Sequence, residues 1–166
     1  MSDASIREYF LGGLDSLIED IPGLRGKVEI VQDADGDMAV RAMIPKADEG
    51  GFDIAIQVFD GWEVNVFAGE CCVDFFLSAK EKHSLHNRQR VDAALELVRG
   101  LLGPGYRVRQ WYRGELLLRG RVEKREEGRW TLRAWYRRSQ WFREPFAPRS
   151  HRVFQNRYVE TEATWA

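Results

Sequence analysis

The stretch FDIAIQVFDGWEVNVF, Phe52–Phe67, carries the clearest two-residue alternation of apolar side chains in the chain. Side chains on a strand alternate between the two faces of a sheet, so the pattern predicts two strands that each bury one face. Pairing Val58 with Trp62 leaves Phe59–Gly61 as a three-residue loop, with glycine where the backbone needs a left-handed residue. The stretch therefore predicts an antiparallel hairpin.

The rest of the chain adds two helices and further strands. Apolar residues recur at helical spacing over Ser5–Asp20, where Ser5 and Glu8 form a capping box, and over about Asn87–Leu102. Further strands are predicted around Val28–Ile30, Met38–Ile44, Cys71–Leu77, Tyr106–Tyr112, Leu116–Val122, Trp130–Tyr136 and Val153–Val159. This order of elements predicts an α+β fold, in which one curved antiparallel sheet of seven or eight strands carries both helices on one face.

Length and composition are typical of a folded protein with one domain. The chain has 166 residues, of which 44% are hydrophobic, and we expect a single domain over 1–166 with an irregular segment at 139–166. No apolar run approaches the roughly 18 residues of a membrane span, and the polar, acidic N-terminus does not resemble a secretory signal. Cys71 and Cys72 are adjacent and have no third cysteine to pair with. We therefore expect a cytoplasmic protein that does not contact membranes.

Charge is divided unevenly along the chain. The first 83 residues contain 7 lysines and arginines against 17 acidic residues, whereas the remaining 83 contain 18 against 9. Such a division indicates either a basic half that binds a partner or two halves that neutralise each other in the fold.

The last three predicted strands separate an apolar set of side chains from a basic one. Alternation assigns Val108, Leu118, Trp130 and Leu132 to the apolar set, facing the core. The basic set, which is the predicted partner-binding surface, consists of Arg107, Arg109, Trp111, Arg113, Arg119, Arg121, Arg133, Trp135 and Arg137.

Separation of the two sets depends on the first turn between these strands. A two-residue turn at Arg113-Gly114 would mix the faces, whereas an odd loop such as Arg113–Glu115, or a bulge, would keep them apart. Burying Arg119 and Arg121 would cost several kcal/mol each, so we predict the odd loop.

Three interpretations fit a sheet face of arginine and tryptophan. Both residue types are enriched at the energetic centres of protein interfaces, and both also stack on the bases of single-stranded nucleic acid. In the third, the face is solvated and its arginines pair with Glu115, Glu123 and Glu144. The chain has only five lysines and lacks the RNA-recognition octapeptide, which counts against nucleic acid.

Motifs for metal binding or catalysis are absent or incomplete. Asp33, Asp35 and Asp37 resemble the start of a calcium loop, but its sixth and twelfth positions are Met38 and Ile44 instead of glycine and glutamate. His83, His86 and His151 form no zinc-binding pattern, and no GxSxG, P-loop or GxGxxG sequence is present. We predict no metal, no cofactor and no catalytic residue, and we favour a binding protein over an enzyme.

Two stretches carry a family resemblance. They are the Phe52–Phe67 hairpin and ALELVRGLLGPGYRVRQWYRGELLL, Ala93–Leu118, a helix that leads into a strand ending in Trp-Tyr-Arg-Gly. Their layout resembles small bacterial protein families, some of which serve as immunity proteins for polymorphic toxins. The resemblance implies a cytoplasmic protein that blocks a toxin domain by occluding it. The alternatives are a nucleic-acid-binding protein that uses the basic set, and an enzyme or small-molecule binder with a pocket between sheet and helices. Oligomeric state stays open.

Overall fold

The fold is α+β, as the sequence predicts. A computed structural model describes residues 6–31, 38–59, 63–76, 85–137 and 148–159. The two helices are α1, Ile6–Asp20, and α2, Leu85–Leu101, and a short 3₁₀ turn, Pro22–Leu24, follows α1. The strands are β1 Glu29–Val31, β2 Met38–Ile44, β3 Ile54–Phe59, β4 Glu63–Ala68, β5 Cys71–Phe76, β6 Tyr106–Arg113, β7 Leu116–Glu126, β8 Arg129–Arg137 and β9 Arg149–Phe154.

These nine strands form two antiparallel sheets rather than the single sheet expected. The first sheet has the order β1-β2-β3-β4-β5, and the second has the order β8-β7-β6-β9. In the first sheet Val58 pairs with Val64 instead of Trp62. This shift of two residues leaves every side chain on its predicted face, because the period of a strand is two. The predicted strand at Val153–Val159 begins earlier, at Arg149, and ends at Phe154.

Both helices pack on one face of the first sheet, as predicted. Alternate residues of β3 are completely buried, and they share one core cluster with the apolar stripes of both helices. The helix contributions are Ile6, Phe10, Leu14 and Leu17 from α1, and Val91, Ala94, Val98 and Leu101 from α2. Burial of these side chains is the main stabilising term of the fold, at roughly 1.5–3 kcal/mol for each large one.

The second sheet packs on the first where β5 meets β7. A side chain at Gly120 of β7 would collide with the Sγ atom of Cys71, so any larger residue there would require the buried Cys71 side chain to move. Val108 and Val122 beside it are completely buried and belong to the same core cluster. The inner side of the second sheet therefore completes the core, and its other side faces outward.

The C-terminal segment after β9 ties the second sheet to the first. Asn156 is completely buried. Its side-chain oxygen accepts a hydrogen bond from the amide of Phe52 at 3.1 Å, and its side-chain nitrogen donates to the Phe52 carbonyl at 2.9 Å. The Tyr158 hydroxyl donates to the Pro45 carbonyl at 2.8 Å, and the Tyr158 amide donates to the Leu102 carbonyl at 3.0 Å. These bonds fix the position of β9 against the β2–β3 connection and the end of α2.

We expect the Gly120→Ala substitution to lower the free energy of unfolding by about 1–3 kcal/mol, because the added methyl overfills the contact with Cys71. Urea denaturation measures the loss. In a Cys71→Ala background the same substitution should cost at least about 1 kcal/mol less, since the colliding sulfur is gone. Gly12→Ala is the matched control, because nothing lies within 4 Å of a Cβ at that position. Equal losses in both backgrounds would contradict the packing of β7 on β5.

Candidate functional site

A β-bulge in the β6–β7 hairpin keeps its arginines on the outward side. Arg113 pairs with Leu116, which leaves a two-residue turn at Gly114-Glu115, where Gly114 has a φ of 59°. Further along, Trp111 pairs with Arg119 while Tyr112 pairs with Leu117, so Leu118 is an extra residue. The predicted odd loop is wrong, because the bulge and not the turn restores the alternation.

The bulge also exchanges the roles of two neighbouring leucines. Leu117 is buried, with 3% of its surface exposed, whereas Leu118, which the sequence places in the core, is only half-buried. Val108 is completely buried, as predicted, and Arg119 is exposed. The separation of an apolar face from a basic one therefore holds for β6 and β7.

A second bulge lies in β8, and the predicted facing of some side chains in that strand is wrong. Val122 pairs with Ala134 and Glu123 with Leu132, which leaves Arg133 as the extra residue. Trp130 and Leu132, predicted for the core, lie on the outward side of the sheet instead, and 51% of the Leu132 surface is exposed.

Arg133 lies away from the predicted basic surface, because it follows the outward Leu132 in the strand and so lies on the other side of the sheet. Its guanidinium contacts the carboxylate of Glu126. The Thr131 hydroxyl donates to that same carboxylate at 2.7 Å, and Lys124 lies 3.8 Å from it. Arg133 is therefore part of a local ion cluster, and its predicted place on the binding surface is wrong.

We call the outward side of β6–β8 the arginine–tryptophan face. Its described members are Arg107, Arg109, Trp111, Arg119, Arg121, Glu123, Arg125, Trp130 and Leu132. Arg113 lies at one end of it and is buried, with 7% of its surface exposed, so it adds little to an accessible surface. The backbone of Trp135 pairs with Arg121 and that of Arg137 with Arg119, but both side chains lie outside the described part of the structure.

Trp111 lies on β6, close to the β6–β7 turn, and three arginine side chains lie around its indole. The guanidinium carbons of Arg119, Arg121 and Arg109 lie 4.2, 5.4 and 5.7 Å from the centre of one of its rings. All three distances are within the range of cation–π attraction, which contributes about 0.5–1 kcal/mol for an exposed pair. The indole therefore holds three like charges close together.

A second arginine–indole pair, Arg107 with Trp130, lies beside Glu123, which is the one carboxylate among the described members of the face. The guanidinium of Arg107 lies 4.1 Å from the centre of the Trp130 ring, and its Nε atom donates to Glu123 at 2.6 Å. Arg109 lies 3.7 Å from the same carboxylate. Glu123 is buried, with 7% of its surface exposed. It offsets part of the positive charge and leaves Arg119 and Arg121 without a carboxylate partner among the described residues.

The Trp130 side of the face was missed in the sequence, although a signal for it was present. Glu126 pairs with Arg129 across a two-residue turn, Glu127-Gly128, in which both residues have positive φ values of 49° and 76°. A turn of this type fixes the register of a hairpin, and here it places Trp130 opposite Arg125.

The described residues show no metal centre and no reactive thiol. They contain no group of three histidine, cysteine or acidic side chains that could hold a metal ion, and Asp33–Asp37 and His83 lie outside the described ranges. Burial raises the pKa of the Cys71 thiol to about 11, and burial together with a hydrogen bond to Asp74 raises the pKa of Cys72 even further. Both cysteines are therefore protonated at neutral pH and poor nucleophiles.

A groove lies between the two helices, and not between sheet and helices, where the small-molecule alternative places a pocket. This open groove of about 380 Å³ is lined by Glu8, Tyr9, Gly12, Gly13, Ser16 and Asp92. The Tyr9 hydroxyl donates to Asp92 at 2.8 Å, and this bond raises the pKa of Tyr9. The groove thus holds paired polar groups and no enclosed apolar chamber of the kind that binds small ligands.

Comparison with known protein families, with curated proteins and with solved structures found no match for this chain. In the described ranges, no helix is long and apolar enough to cross a membrane.

We expect Glu123→Gln to lower the free energy of unfolding by about 1–2 kcal/mol, because it leaves the partly buried guanidinium of Arg107 without its counter-charge. Thermal and urea denaturation measure this loss. The matched control is Glu126→Gln, whose carboxylate is 37% exposed and should contribute under about 1 kcal/mol. Equal losses for the two variants would show that Glu123 is not the buried counter-ion of the face.

We expect both cysteines of the native protein to react with a maleimide at pH 8 at least tenfold more slowly than in denaturant, because their raised pKa values keep the thiolate scarce. The rate for Cys71 should increase as the pH rises toward about 11. Mass spectrometry of the labelled peptides measures each rate. A cysteine that reacts as fast in the native protein as in denaturant would contradict a raised pKa at that position, and one that reacts faster would show an activated thiol.

Proposed function

We propose that this protein is a non-enzymatic binding module, and that its arginine–tryptophan face docks on an acidic surface of a partner protein. One observation carries the proposal, namely the three guanidinium groups gathered around the Trp111 ring on the outward side of a sheet. Trp and Arg side chains together combine a large apolar contact area with strong hydrogen-bond donors. Charge complementarity selects an acidic partner.

Rigidity of the face supports the same function. Its side chains stand on three hydrogen-bonded strands, and the rings hold two of the arginines in place at 4.1 and 4.2 Å. Binding therefore orders few side chains that are still free in the unbound protein, and this keeps the entropic cost of association low.

The finer proposal is that the partner is a toxin domain and that the protein acts as a cytoplasmic immunity protein in a bacterium. Its support is the resemblance of Phe52–Phe67 and Ala93–Leu118 to families that include immunity proteins. An immunity protein blocks its toxin by covering it, which requires an accessible, rigid surface and no catalytic group. The arginine–tryptophan face has these properties.

We expect Trp111→Ala and Arg119→Glu each to weaken binding to the protein encoded by the adjacent gene by at least tenfold, because each removes part of the cluster around Trp111. Calorimetry measures the affinity. Arg41→Glu is the matched control, since it makes the same charge change at an exposed position in the other sheet, and it should leave the affinity within about twofold.

Single-stranded DNA and RNA serve as the competing ligands in the same titrations. Unchanged affinity for the partner protein in both face variants would overturn the proposal. Oligonucleotide binding that is tighter than protein binding and falls steeply with salt would replace it with nucleic-acid recognition. Co-expression tests the finer proposal, which requires the chain to restore growth of cells that the neighbouring gene product arrests, and requires Arg119→Glu to lose this protection.

A further inference from the structure

We infer that β9 is a docking edge, at which an acidic, extended segment of the partner protein adds a further strand to the second sheet. The inference rests on the proposed function for the identity of the partner as an acidic protein. Its structural ground is independent of the arginine–tryptophan face, because it concerns the backbone of β9 and not the side chains of β6–β8.

The first observation is that β9 forms the edge of its sheet. It pairs with β6 on one side, and on its other side no strand of the described part of the chain is bonded to it. Its first five residues are all exposed, and the sixth, Phe154, is half-buried. An edge of this length presents free amide and carbonyl groups that template the pairing of another strand.

The hydrogen-bond pattern identifies which groups are free. The amide of Gly114 donates to the carbonyl of Pro148 at 3.1 Å, in the register that pairs Arg113 with Arg149. Hydrogen-bonded and non-bonded pairs alternate along an antiparallel ladder. Ser150, Arg152 and Phe154 therefore bond to β6. The backbone groups that point away from β6 belong to Arg149, His151 and Val153.

The next residue in this series shows that the outer edge is able to form bonds. Gln155 follows Val153 at two-residue spacing, and its amide donates to the carbonyl of Gly50 at 2.9 Å. The outer edge of the segment is thus already paired at its far end. The same edge stays open over Arg149–Val153 among the described residues.

Charge selects the occupant. Within β9 Arg149 and Arg152 are cationic and no residue is acidic. The register places Val153 beside Arg109 and His151 beside Trp111, so the open backbone groups lie along the border of the arginine–tryptophan face. An added strand with acidic side chains at alternate positions would have cations beside it, and an apolar side chain would meet Val153, which is 46% exposed. Backbone bonds then supply affinity and the side chains supply specificity.

The test combines a strand probe with proline substitution. The probe is a nine-residue peptide in which glutamate and valine alternate, and the comparison peptide has lysine in place of glutamate. His151→Pro removes an outward amide, which an edge strand tolerates. We expect it to weaken binding of the glutamate peptide at least tenfold while the protein stays folded by circular dichroism. Arg152→Pro is the matched control for the direction in which the amide points. It removes an amide that bonds to β6, so it should destabilise the fold.

Amide exchange measured by NMR gives a readout that does not depend on a variant. On binding the glutamate peptide, the amides of His151 and Val153 should exchange with solvent at least tenfold more slowly, because they acquire partners, whereas the amide of Ser150 should not change. Arg149→Glu should reverse the preference between the glutamate and lysine peptides. This variant keeps the inference testable even where His151→Pro lowers the stability of the sheet.

The experiments distinguish a failure of the docking edge from a failure of the proposed function. Partner binding that Arg119→Glu weakens but His151→Pro leaves unchanged would overturn the docking edge and keep the face. Two further results would contradict the docking edge. One is that the glutamate peptide does not bind at 1 mM, roughly the weak limit of specific affinity. The other is that it binds without slowing the solvent exchange of the His151 amide. A dimer of the chain alone that His151→Pro dissociates would assign the edge to a second copy and overturn the acidic partner.

Discussion

The structure of the second sheet depends on one constraint, which is that a guanidinium group cannot be buried without a partner. Arg107 and Arg109 on β6 and Arg119 and Arg121 on β7 stand at two-residue spacing, so all four occupy one side only if the two strands are in the right register. The two-residue turn at Gly114-Glu115 would give the wrong register by itself. The extra residue Leu118 corrects it, and buries Leu117 instead of an arginine.

The same constraint acts on β8. A regular ladder from the Glu127-Gly128 turn would place Arg133 opposite the completely buried Val122. The bulge puts Ala134 there instead and lets Arg133 reach Glu126. Each bulge thus keeps an arginine from lying opposite a buried position. The outward cluster of arginine and tryptophan is a consequence of keeping charge out of the core.

How well each feature can be predicted from the sequence depends on whether residues close together or far apart in the chain decide it. The helices and the hairpin around Asp60-Gly61 depend on local periodicity, and their existence and type were predicted correctly. The place of Trp130 and Leu132 follows from the register set by the Glu127-Gly128 turn, whereas the bulge at Arg133, which puts Ala134 opposite Val122, has no sequence signature of its own. The division into two sheets is decided by long-range packing, in which Gly120 lies against Cys71 although the two are far apart in the chain. Alternation within a strand predicted the members from β6 and β7 well, because it is insensitive to which strand lies beside them.

Opposite charges on the two parts of the chain have a consequence for the approach of a partner. The first 83 residues, which include α1 and the five-stranded sheet, carry a formal charge of −10, and the remainder carries +9. The strands of the second sheet all belong to the basic part of the chain. An acidic macromolecule is therefore attracted to the second sheet from a distance, which raises the rate of encounter, and added salt removes this advantage.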